Sequence, residues 1–101
     1  MTGLHRSDVL PDVPTGKEAG LPELVVTTWN GVLAPAATPA SIVAKLNATV
    51  NEGLRSEEMR ASLRKLGADT KILSPAEFSA FMLAEGRKWS DVARAASIKV
   101  E

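Results

Sequence analysis

Only one stretch of this chain reads as a long β-strand, and a lone strand cannot make a sheet. Glu23–Ala34, ELVVTTWNGVLA, is rich in valine and threonine, carries Trp29, and suits a strand better than a helix in length. One or two strands alone are not independently stable in water. The stretch therefore wants neighbours on both edges, and the rest of the sequence offers almost none. Asn30-Gly31 falls in its middle, as a hairpin turn or as a bulge within one bent strand. The second arm, Val32-Leu33, ends almost at once at Pro35, which favours the bent strand.

Beyond Pro35 the pattern turns helical. Thr38-Pro39 reads as a cap with proline in the first helical position, and Ile42, Val43, Leu46, Val50 and Leu54 recur at helical spacing. This predicts a helix over about 38–55. Ser56 recaps, Glu57 and Glu58 suit the new first turn, and Gly67 stops a second helix over about 56–66. Ala68–Leu73 reads as a short edge strand. Ser74-Pro75-Ala76-Glu77 is a capping box with proline at the first helical position, and it predicts a long helix over about 74–97. Its stripe runs through Phe78, Phe81, Met82, Glu85, Trp89, Val92 and Ala96. The tail, Ile98–Glu101, reads as extended again.

Residues 1–22 behave differently. Pro11, Pro14 and Pro22 each push the preceding residue towards extended geometry. Thr15 is placed to cap a very short helix over Gly16–Ala19, with Gly20 as its stop. The segment has too few apolar side chains to hold itself together. It reads as a proline-rich connector, partly disordered, with most of residues 1–14 expected to be poorly ordered. The fold class is α/β, helix-rich, with one long strand and one or two short ones. The pattern is that of a piece of an α/β domain whose remaining strands lie elsewhere.

Composition removes several function classes. The chain has 101 residues, one domain's worth, with twelve basic residues against twelve acidic ones. That balance gives no electrostatic reason to expect nucleic acid or an anionic membrane as a partner. There is no cysteine, hence no disulfide, no thiolate metal site and no thiol nucleophile. His5 is the only histidine and sits in the connector, where a solvated side chain is the simplest reading. No serine has a base near it in sequence. Neither a phosphate-binding glycine loop nor metal-ligand spacing occurs. The reading assigns no catalytic residue, no metal ligand and no cofactor. Arg55, Arg60, Arg64, Lys65, Arg87, Lys88 and Arg94 alternate with acids, as on a solvated helix face. Trp29 and Trp89 read as core, and Asn30-Gly31 as a strand bend more than a ligand loop. No apolar run approaches the ~20 residues of a membrane span, and MTGLHRSDVL lacks the apolar region of an export signal.

The order of short motifs adds a resemblance. Leu10-Pro11-Asp12-Val13-Pro14-Thr15, Glu18-Ala19-Gly20, Thr28-Trp29-Asn30-Gly31, Ala34-Pro35, Thr38-Pro39, Leu46-Asn47, Leu66-Gly67 and Ile98-Lys99 appear in this order. Together they resemble the C-terminal part of the substrate-binding receptors of tripartite tricarboxylate transporters, the TctC or Bug family. The first group resembles that family's "LPDVPTxxEAG" signature and the strand its "WxGxxAPxxTP" signature. Gly16-Lys17 and Ala37 depart slightly from the usual pattern. The resemblance implies a two-lobed periplasmic-binding-protein-like fold. Such receptors capture small carboxylated solutes in a cleft and deliver them to a membrane permease, with no cofactor. It implies that residues 1–22 connect the lobes and that residues 23–101 form the C-terminal part of the first lobe. It places the parent receptor in the periplasm, while this chain shows no export signal. Most carboxylate-gripping loops would lie outside the chain, so the ligand-binding residues are unknown. A fragment not competent to bind alone is the first reading. A small self-associating module from a truncated gene, pairing Glu23–Ala34 as a homodimer, is the second; a small enzyme is the third and weakest.

Overall fold

The computed structural model describes residues 1–99. Three helices succeed one another: α1 (Ala40–Arg55), α2 (Glu57–Lys65) and α3 (Pro75–Ala95). Helix α1 packs on both α2 and α3. Everything before Ala40 is turns and irregular chain.

The helix boundaries have local causes. Pro39 is the N-cap of α1 itself, with ψ 140° and no side-chain cap bond, so the expected Thr38 cap does not form. The Thr38 N–H instead closes a tight turn on the Pro35 carbonyl, 2.9 Å away. Ser56 hinges α1 to α2. Its hydroxyl donates to the Gly53 carbonyl (2.7 Å) and accepts from the Met59 N–H (3.3 Å). At the end of α2, Gly67 takes φ +70°, its N–H reaches the Arg64 carbonyl, and the Ala68 N–H reaches the Leu63 carbonyl. That double closure satisfies two of the carbonyls a helix end leaves open, and the left-handed residue suits glycine. The same closure ends α3, with Ser97 at φ 55° in the glycine's place.

Helix α3 begins as its capping box requires. The Glu77 N–H donates to the Ser74 hydroxyl (3.1 Å) and the Ser74 N–H to the Glu77 carboxylate (2.7 Å). Two carboxamides of α1 set where that start lies. Asn47 and Asn51 both donate to the Leu73 backbone carbonyl, at 2.9 and 3.0 Å, and the Asn51 amide also donates to the Asn47 side-chain Oδ1.

The strands are corrected. Among the described residues there is no β-ladder, only an isolated bridge between Ser7 and Leu10. Glu23–Ala34 is irregular, because a strand exists only where a neighbour accepts its hydrogen bonds. Among the described residues, no backbone group from Thr27 to Ala34 makes a backbone hydrogen bond. Ala68–Leu73 is likewise no strand: its two ends serve the closure of α2 and the asparagine pair of α1. Of the tail, Ile98 closes α3, and Val100-Glu101 lie outside the described residues.

The shape is open. The radius of gyration is 16.6 Å, against about 13 Å for a compact chain of this length. The accessible surface is 8371 Å², whereas a compact protein of 10.7 kDa exposes about 5,500 Å². Among the described residues no apolar side chain is fully buried, and Val32 and Leu66 are 81% and 79% exposed. The apolar stripes read from the sequence exist, but among the described residues nothing closes over them.

Candidate functional site

The best-formed cluster lies where the Glu23–Ala34 segment crosses α3. Trp29 meets Phe78 and Phe81 edge-on, at ring-centroid distances of 5.8 and 5.2 Å, and the two phenylalanines stack at 6.4 Å. Edge-on contacts of this kind add about 0.5–1.5 kcal/mol beyond area burial. The Lys71 ammonium sits 4.9 Å from the centre of the Phe81 ring, within cation–π range. Gly31 belongs to the same cluster. A Cβ there would collide with the Phe78 Cζ, so only glycine lets the segment lie this close to the ring. The Asn30-Gly31 pair is therefore a close-packing device on an aromatic face.

Further along α3, a polar group grips the same segment. The Lys88 ammonium donates to the Val25 carbonyl at 2.6 Å, across 63 residues of sequence. The Glu85 carboxylate lies 3.7 Å from Lys88 and accepts from the Trp89 indole N–H at 3.0 Å. Glu85 is largely covered, its side chain 18% exposed. Lys88 also stands 5.2 Å from the Trp89 ring centre. Reading Lys88 as part of a solvated basic face misses this, since the partner is a distant backbone carbonyl that leaves no local trace.

The connector holds the third arrangement. Glu18 bonds the Thr15 N–H (2.8 Å) and hydroxyl (3.2 Å), and the Thr15 hydroxyl in turn accepts from the Glu18 N–H (3.3 Å). Arg6 clamps the same carboxylate through Nε, 2.9 and 3.1 Å from its oxygens, and reaches the Pro11 carbonyl with Nη1. The Arg6 bond first, and the Thr15 N–H second, hold the Glu18 carboxyl down at about 2. The pairing pushes the Arg6 guanidinium up. The expected Thr15 cap is thus present, but it opens a single turn that Gly20 ends at φ +88°. Residues near the start wrap this turn: the Met1 carbonyl accepts from the Gly16 N–H at 2.7 Å. Thr15, 4% exposed, is buried beneath them. The Thr15-x-x-Glu18 spacing is a legible capping signature; the contribution of Arg6 is not legible.

His5 and Asp8 line a polar cavity of about 230 Å³, facing Arg60, Arg64 and Asp69 at the end of α2. Arg6 pairs with Glu18 and Arg64 with Glu57, and Asp8 and Asp69 line the wall with Arg60. Among the described residues no three metal-ligating side chains converge, and no helix is long and apolar enough to cross a membrane.

Comparison with known proteins fits this arrangement. A model of the tripartite tricarboxylate transporter family receptor matches residues 1–98, both signature segments included. The chain belongs to this family. Protein BugT of Bordetella pertussis is 34% identical over 96 residues, which are 95% of this chain and 29% of BugT. The "UPF0065 protein in tcbD-tcbE intergenic region" of Pseudomonas sp. (strain P51) is 39% identical over 90 residues, 88% of this chain and 27% of that protein. A third relative, the UPF0065 protein in the clcB-clcD intergenic region of Pseudomonas knackmussii, is 33% identical over 72 residues, 70% of this chain and 43% of that protein. The chain thus spans under a third of the length of the first two relatives. Within the receptor family's frame, the Trp29-Asn30-Gly31 signature here seats a segment on α3, and Pro14-Thr15 through Gly20 builds an ion-paired turn.

Proposed function

We propose that this chain supplies the C-terminal part of the first lobe of an extracytoplasmic receptor. The receptor captures small carboxylated solutes and passes them to the membrane permease of a tripartite tricarboxylate transporter. In this reading residues 1–22 run towards the second lobe. Glu23–Ala34 becomes a strand once sheet neighbours take its free backbone groups. The whole receptor works in the periplasm, binds without a cofactor and performs no chemical step.

One observation carries the reading. The chain exposes roughly 2,900 Å² more than a compact protein of its mass. That excess is the scale of a large obligate interface or of a domain core cut open. It coincides with uncovered apolar side chains on α3, on the 23–34 segment and at the end of α2. A solute cleft needs walls on both sides, so the chain by itself is expected not to enclose a ligand. Titration with citrate, glutamate and nicotinate, tracked by amide NMR shifts, tests this. No saturable change at micromolar ligand is expected, and saturable shifts clustered at Trp29–Ala34 would overturn it.

The unpaired backbone of Thr27–Ala34 also favours a second reading, in which two copies pair these edges. A standard dimer interface covers about 800 Å² per partner, under a third of the excess. Sedimentation over a range of concentrations separates the two readings. A discrete dimer whose surface per chain falls to the compact value would replace the lobe reading.

A further inference from the structure

Two adjacent residues of the crossing segment are held from opposite sides, and the residues after them are free. The Val25 carbonyl accepts from the Lys88 ammonium of α3. The Val26 N–H donates to the Thr2 carbonyl at 2.9 Å, and the Val26 carbonyl accepts from the Thr2 hydroxyl at 2.6 Å. From Thr27 to Ala34, no backbone hydrogen bond forms among the described residues. Four residues after the Lys88 contact, Trp29 lies on the Phe78–Phe81 pair, and Gly31 sits against Phe78.

This geometry poses a register problem. Moving the segment along α3 by one residue would present Thr28 or Asn30 to the rings instead of Trp29. A Cβ at position 31 would force the Phe78 ring aside, so the ring penalises a slipped segment, but only after the segment has docked. A fixed point upstream is needed to bring Trp29 and Gly31 to the rings together. We propose that Lys88 is that point: a positioning residue that pins the register of the Glu23–Ala34 segment on α3 and marks Thr27 as the first backbone group free for pairing. Glu85 holds the pin. Its carboxylate draws Lys88 to one side, and its own position is fixed by the Trp89 indole. An ammonium suits the task because its four-carbon stem spans the gap while three donors tolerate small errors of angle. The inference stands on this chain's own contacts and holds whatever solute the receptor takes.

The absence of cysteine makes site-directed labelling clean. Spin labels at Asn30→Cys, on the segment, and Ser90→Cys, on α3, report their separation by pulsed electron resonance. With Lys88 present a single narrow distance is expected, and Lys88→Arg is expected to keep it. Lys88→Met, which retains the apolar stem, is expected to broaden the distribution and add a population displaced by up to about 3.6 Å, the most that one residue of chain can span. Helix content should stay unchanged, which a general loss of stability would not allow. An unaltered distance in Lys88→Met overturns the proposal. Should that variant lose its helices, the decision passes to Glu85→Gln, which leaves Trp89 an acceptor and removes only the charge holding Lys88. Broadening there supports the pin, and an unaltered distance refutes it.

Discussion

The chain contains the same capping device twice, with very different results. Thr15 and Glu18 satisfy each other's backbone N–H groups in the connector, and Ser74 and Glu77 do so at the start of α3. The first opens one turn; the second opens a helix of 21 residues. A cap lowers the cost of starting a helix, but extension requires a face to pack and residues that tolerate helical geometry. After Ser74 come Phe78 and Phe81, which meet Trp29 of the 23–34 segment, and Lys88, which grips Val25. After Thr15 come Gly16, Gly20 and Pro22, which weaken or end a helix and offer no apolar stripe. The connector compensates with charge, using Arg6 where α3 uses aromatic rings.

If packing separates the two, removing it should make α3 resemble the connector. Phe78→Ala strips the contacts to Trp29 and Phe81. Because the ring is only half-buried, the expected loss is about 1–3 kcal/mol, below the range for a sealed core. Thermal melts should show the shift, and hydrogen exchange should rise most in the first two turns of α3. Gly31→Ala attacks the same contact from the other side. The new methyl must displace the ring, at a cost of about 1–3 kcal/mol. If neither variant destabilises α3, the aromatic cluster is not what distinguishes the two caps.

The caps themselves come next in size. Ser74→Ala and Thr15→Ala should each cost about 1 kcal/mol locally. The effects should differ in reach: Ser74→Ala frays the start of a helix, whereas Thr15→Ala should free residues 1–20 together, since Met1, Arg6 and Glu18 all converge on that turn. Amide exchange resolved by residue reads both. Smaller still is Ser97→Gly, which relieves a left-handed serine at the end of α3 and should stabilise by about 0.5–1 kcal/mol.

Local features are legible in the sequence and distant ones are concealed. The Ser74 box, the Ser56 junction and the Gly67 stop are readable because cause and effect lie within a few residues. Apolar spacing likewise locates all three helices, with α1 displaced because Pro39 acts as the cap and not as the first helical residue. Composition overstates the strand over Glu23–Ala34: β-branched residues state a preference, but a strand needs a hydrogen-bonding neighbour. Trp29 packs as its type suggests, though it remains 40% exposed for want of a covering layer. The grip of Lys88 on Val25, the asparagine pair on Leu73 and the clamp of Arg6 on Glu18 join residues far apart in sequence. Each involves a polar side chain that looks solvated when read alone.

Acid should separate the two caps by the smallest and most specific effect. Both carboxyls lie below their usual value of 4.5, Glu77 through the Ser74 N–H and Glu18 through Arg6 as well as Thr15. A carboxyl lowered by folding stabilises the fold above its unfolded value and loses that contribution as pH falls through its folded value. Both contributions are therefore complete above about pH 5 and fade on acidification. Glu18, held at about 2, should protonate last. Carbon-detected NMR of the two carboxyls should find Glu77 titrating at the higher pH. The Arg6–Glu18 pair is nearly half exposed, so added salt should screen it and raise the Glu18 midpoint, leaving Glu77 nearly unmoved. Arg6→Gln should do the same without salt. If Glu18 still titrates below Glu77 in that variant, the Thr15 turn alone sets its acidity. The connector and α3 would then differ in packing only, with charge supplying no substitute for the missing aromatic face.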